Sequence, residues 1–120
     1  MARDFRKIKA WKYADDLAVL VYTKTKDFPK DEIYGIISQL RRAVVSVAAN
    51  IVEGANREHK KEYLQFLYIA RASLAETEYL LHLSNRLGYL QDESYEEIDS
   101  LREETSKTLF GLIKSVKNEI

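Results

Sequence analysis

The sequence predicts an all-α protein, an up-down-up-down antiparallel four-helix bundle built as one domain over residues 1–120. Three observations predict it. A single proline, Pro29, and four glycines leave long uninterrupted stretches, while 46% hydrophobic and 32% charged residues suit helices with one dry and one wet face. Apolar residues recur at helical spacing through four segments of roughly 20 to 29 residues. The connections between them are only a few residues long, which makes consecutive helices antiparallel neighbours. A chain of 120 residues buries about two thirds of its unfolded surface, enough for one core.

The first helix is expected from about Phe5 to Lys26, with Ala10, Ala14, Leu17 and Val21 on one stripe and Trp11, Ala18 and Tyr22 widening it. Phe28-Pro29 stops it, and the proline opens a second helix running to Gly54. There Ile33, Ile36, Ile37, Leu40, Val44, Val47 and Ile51 fall within an arc of about 100°. Tyr34, Val45 and Val52 form a second apolar line roughly 110° round the same helix, more than one pair of neighbours would cover.

The third helix, His59 to Leu87, is apolar over most of its circumference and therefore central. Gly88 ends it, in the place where a left-handed residue satisfies the last carbonyls. The fourth starts near Asp92 to Ser94, where Ser94-Tyr-Glu-Glu97 matches a capping box. Its stripe is Ile98, Leu101, Thr105, Leu109, Leu112 and Val116, and lysines 114 and 117 suit its C-terminal end.

The residues offer little chemistry. Bundles that hold paired metals use Glu-x-x-His on two helices, but the residues three before His59 and His82 are Asn56 and Tyr79. Glu78 and His82 read as a surface pair. Without cysteine there is neither a disulfide nor a thiolate nucleophile, and Gly54 stands alone rather than in a phosphate loop. The expectation is a noncatalytic protein with no metal, cofactor or small-molecule substrate.

Formal charge is +0, so no bulk field draws the chain to nucleic acid or to anionic membrane. The basic N-terminus lacks the unbroken apolar run of a signal peptide, and no window approaches the roughly 18 apolar residues of a membrane span. A soluble, cytoplasmic chain is expected, with no membrane partner.

Two groups of residues are candidate interaction sites. Gln39, Arg42, Ser46, Asn50 and Glu53 stack along one face of the second helix within about 80°. Glu62, Ser73 and Glu76 give the third helix a shorter polar line. Either the face is solvated, or it lies in a helix or subunit seam with Arg42 meeting a carboxylate such as Glu76. The second group, Arg41, Arg42, Arg57, Lys60 and Lys61, could bind phosphates without reading sequence, or could be an ordinary charged surface.

The run "FPKDEIYGIISQLRRAVVSVAANIVEGANREHKKEYLQFLYIARASLAETEYLL", followed by "LGYL", resembles the bacterial four-helix-bundle proteins first met as reading frames in intervening sequences of large-subunit ribosomal RNA genes. Gln39-Leu-Arg-Arg-Ala43, Ser46, Asn50-Ile-x-Glu-Gly54 and Arg57 carry the likeness, with "FLYIARASLAETE". The resemblance implies a noncatalytic, homo-oligomeric protein: homopentameric, ring-shaped barrels of bundles occur among the relatives. A related branch, the accessory variability proteins of diversity-generating retroelements, binds nucleic acid and a protein partner through a strongly basic surface, which the balanced charge here does not match. The chain departs from the pattern at Ala48, where proline is usual, at His59, where serine often caps the third helix, and at Ala72, where glycine is common.

Overall fold

The computed structural model describes residues 3–120. The Asp4 carboxylate accepts from Arg6 N at 3.1 Å and starts a single 3-10 turn, Phe5–Lys7. Ile8 then takes an extended conformation, so helix α1 runs Lys9–Thr25 rather than from Phe5. Phe5 meets Trp11 edge-on at 4.8 Å and folds the turn back onto the helix.

Helix α2 is Ile36–Ala55, shorter than the sequence suggests. Residues Lys30–Glu32 form a separate 3-10 turn after Pro29, and Glu32 explains the late start. One of its carboxylate oxygens accepts from Ile36 N at 3.4 Å, and the other accepts from the Tyr89 hydroxyl at 2.8 Å. A tertiary bond thus fixes the residue that tethers the first α2 amide. Ile33, expected in the core stripe, lies outside the helix and is 53% exposed. The buried Phe28, packed against Tyr89 at 5.6 Å, anchors the connection instead.

Helix α3, Lys60–Arg86, follows His59, whose side chain makes no cap bond in the place where a serine would. It ends in a Schellman motif: Tyr89 N donates to Ser84 O and Gly88 N to Asn85 O, both at 3.0 Å, with Gly88 at φ 78°. Helix α4, Asp92–Asn118, starts two residues before Ser94, so the expected capping box does not form. Asn85 donates to Leu90 O at 3.0 Å and to Asp92 Oδ1 at 2.8 Å, which holds the start of α4 against the end of α3.

Each helix packs on two others: α1 on α2 and α4, α3 on α2 and α4, with the α2–α3 pair the most extensive. The result measures 45 × 24 × 20 Å and contains no strand among the described residues. One core fills it, with Leu17, Leu40, Ile51, Leu67, Leu81, Ile98 and Leu109 almost wholly enclosed. Each such side chain contributes about 2 kcal/mol of apolar transfer. Four buried hydroxyls cross this core without cost in lost hydrogen bonds. Thr25, Thr77, Ser84 and Thr105 each donate to the carbonyl four residues earlier, at 2.7 to 2.9 Å.

Candidate interaction surfaces

The polar line on α2 divides into a half-buried centre and exposed ends. Ser46 Oγ lies 2.8 Å from Ser73 Oγ across the α2–α3 seam, and Asn50 Nδ2 donates to Ser46 O at 2.8 Å and to Ser46 Oγ at 3.0 Å. Ser46 and Asn50 are half-buried, whereas Gln39, Arg42, Glu53, Glu62 and Glu76 are exposed. Small residues on α2 let the two helices approach: Ser46 meets Ser73, and Gly54 meets Tyr63. A Cβ on the buried Gly54 would stand 2.8 Å from the Tyr63 ring and 3.0 Å from Phe66 Cβ. Gly54 is therefore a packing residue as well as the lower end of the stripe.

Within the chain Arg42 does not pair with Glu76. Its guanidinium donates to Ser38 Oγ, one turn back on α2, at 2.8 Å. An i,i+4 bond of this kind orders fewer atoms than an exposed ion pair between two helices, which adds little in water. Gln39, Arg42, Ser46, Ser73 and Glu76 line one shallow cleft of about 210 Å³.

The five basic candidates do not form one patch. Arg41 and Arg42 stand near the start of α2, and Arg57 follows its end about 23 Å away. Arg41 donates to Thr25 Oγ1 at 2.9 Å, and its guanidinium lies 4.6 Å from the Tyr22 ring centre. At the corner, Arg57 stacks over Phe66 at 4.7 Å and pairs with Glu53 at 3.8 Å. Lys60 pairs with Glu119 at 3.4 Å, and Lys61 is exposed. The N-terminal segment joins this corner: Arg3 donates to Arg57 O at 2.9 Å and to Ala55 O at 3.3 Å, with its guanidinium 4.4 Å over the Tyr63 ring.

Three phenols are pushed above their ordinary proton affinity: Tyr63 by burial, Tyr89 by its bond to Glu32, and Tyr95 by burial beside Asp99. None lines a cleft with a nucleophile. Among the described residues no group of three His, Asp or Glu is arranged to hold a metal ion, and no helix is long and apolar enough to cross a membrane.

Sequence reasoning missed the α3–α4 side. There Arg102, only 12% exposed, binds Asp99 at 2.9 Å, Glu78 at 3.5 Å and Glu103 at 3.8 Å. Glu78 thus pairs across the helices rather than with His82. Beside it Phe110 is 64% exposed. An aromatic residue outside the α4 apolar stripe is the signal that marks it in the sequence.

The comparisons with known proteins agree with this architecture. The crystal structure of a protein of unknown function from the S23 ribosomal protein family of Bacteroides thetaiotaomicron is similar, with a TM-score of 0.81 and 28% identity. The alignment covers 88% of this chain and 98% of that one. No curated protein matches the sequence. The family model described as 23S rRNA-intervening sequence protein matches residues 6–111, and the chain belongs to that family.

Proposed function

We propose that the chain is a noncatalytic binding or scaffold module of the cytoplasm, an up-down-up-down antiparallel bundle that assembles into a homo-oligomeric ring, with five copies as the expected number. The antiparallel order is supported by contacts at the helix ends. Arg3 before α1 meets the end of α2, Lys60 at the start of α3 meets Glu119 after α4, and Asn85 near the end of α3 meets Asp92 at the start of α4. Along the α2–α3 seam, Ser46 faces Ser73 while Gly54 faces Tyr63, so the sequence numbers run in opposite directions.

The observation that carries self-association is the exposed apolar surface. Tyr22, Ile33 and Val45 line one groove of about 450 Å³ between α1 and α2, Tyr34 beside it is 95% exposed, and Tyr79 and Phe110 stand out from α3 and α4. Patches of this kind on a small bundle mark contact surfaces rather than a reaction site. Size-exclusion chromatography of the full chain at micromolar concentration tests it. An oligomer well above the 14.0 kDa chain mass is expected, and a monomer overturns it.

One observation favours a second reading, an accessory protein that binds RNA or DNA. The Arg3 bonds bring the basic N-terminal segment to the corner that carries Arg57, Lys60 and Lys61. Arg41 and Arg42 lie at the other end and would not share that contact. Binding of a single-stranded oligonucleotide at low salt should fall steeply as salt rises, and Lys60→Glu with Lys61→Glu should weaken it about tenfold or more. No binding at low salt would remove the reading.

A further inference from the structure

We infer that the groove between α1 and α2 receives the Tyr79 side of α3 from a second copy of this chain. The inference rests on the self-association proposed above and names the surfaces that meet.

The groove has apolar walls and a basic rim. Tyr22, Ile33, Ile37 and Val45 line it together with Arg41 and Arg42. Both guanidiniums are held by neutral partners: Arg41 by Thr25 Oγ1 and the Tyr22 ring, Arg42 by Ser38 Oγ. Among the described residues neither has a carboxylate within 4.0 Å. Two cations with no counter-charge, beside an open apolar wall, fit a partner that presents an apolar side chain flanked by acids.

Tyr79 meets that description. Its ring is 58% exposed, with the acidic side chains of Glu76 and Glu78 on either side of it around the helix. Ala75 and Ala72, one and two turns earlier and also exposed, put no bulk beside the ring on that side. Glu76 has no cationic partner among the described residues, and Glu78 meets Arg102 only at 3.5 Å.

Height and direction also agree. Tyr79 lies about 10 Å from the end of α3, and Arg41, Arg42 and Val45 lie about 8 to 14 Å from the start of α2 at the same end of the bundle. Copies side by side around one axis therefore bring them level. Phe110, about 27 Å from the start of α4, is too far down the bundle to enter the same groove.

With the four helices at the corners of a square, Tyr79 points along the outward diagonal of α3. The groove opens between α1 and the outward diagonal of α2. The two directions diverge by about 90° to 130° at 100° of turn per helical residue. Repeating such a contact turns each copy relative to the last and closes a ring of about four to seven copies, whereas opposite faces would build a straight filament.

The experiment is sedimentation velocity on the full chain and its variants, with circular dichroism to verify that each is folded. Val45→Asp and Tyr79→Asp each weaken assembly about tenfold or more, while Phe110→Ser leaves it intact. Arg42→Glu and Glu76→Arg each weaken assembly about tenfold or more alone, and the chain that carries both changes reassembles, because every contact of the ring then pairs opposite charges again. Arg42 and Glu76 also border one cleft within a chain, so thermal melts followed by circular dichroism verify that the rescue lies in assembly and not in the fold.

A wild-type monomer would sink the underlying self-association. Wild-type assembly that survives Val45→Asp and Tyr79→Asp, or that depends on Phe110, would overturn this pairing and leave self-association standing. A doubly changed chain that stays dissociated would also overturn it.

Discussion

Gly54→Ala is expected to destabilise the bundle by up to about 2 kcal/mol, although alanine is the better helix former. The new methyl carbon would sit 2.8 Å from the Tyr63 ring, 3.0 Å from Phe66 Cβ and 3.2 Å from Tyr63 O. Tyr63 is buried and has Arg3 stacked on it, and the other two atoms belong to or adjoin the α3 backbone. Relief therefore means moving the helix, at about 1 to 3 kcal/mol, against a propensity gain of about 1 kcal/mol. Gly111→Ala serves as the internal control. It lies exposed on α4 with nothing within 4 Å of its new Cβ, so only the propensity gain remains and stability should rise by about 1 kcal/mol. Chemical denaturation of both variants at one protein concentration checks the opposite signs. A stabilising Gly54→Ala would show that the α2–α3 seam is looser than described.

Leu67→Ala should cost more, about 2 to 5 kcal/mol. Leu67 is fully enclosed about two turns from the start of α3, the helix that packs on both α2 and α4. Its removal leaves a void between rigid helices that collapse only partly, so the cavity adds to the lost transfer energy. The same change at Leu87, which is exposed at the C-terminal end of α3, should shift the denaturation midpoint little. Equal losses at the two positions would contradict the assigned core.

The helix interiors were legible because burial follows the 3.6-residue period: Ala10, Ala14, Leu17 and Val21 are all buried, as are Leu40, Val44, Val47 and Ile51. Helix starts were not. Pro29 and Ser94 are good opening residues, yet α2 and α4 begin at Ile36 and Asp92, where Glu32 meets Tyr89 and Asn85 meets Asp92. Those bonds join residues distant in sequence or across a turn, and no local rule contains them.

The candidate surfaces were partly legible for a related reason. Ser46, Ser73 and Asn50 stood out by spacing, and they do meet in the seam. Within one chain the Arg42–Glu76 pair does not form, because Ser38, on the same helix face, offers an acceptor at lower ordering cost. The second apolar line of α2 was visible in the sequence, and Tyr34 and Val45 are indeed uncovered in the single chain. What covers them is the central question.

Light scattering coupled to size-exclusion chromatography, across a dilution series of the full chain, answers it most directly. The account predicts a discrete oligomer, about 70 kDa for five copies of the 14.0 kDa chain, that persists at micromolar concentration. A constant mass of one chain at every concentration would contradict it.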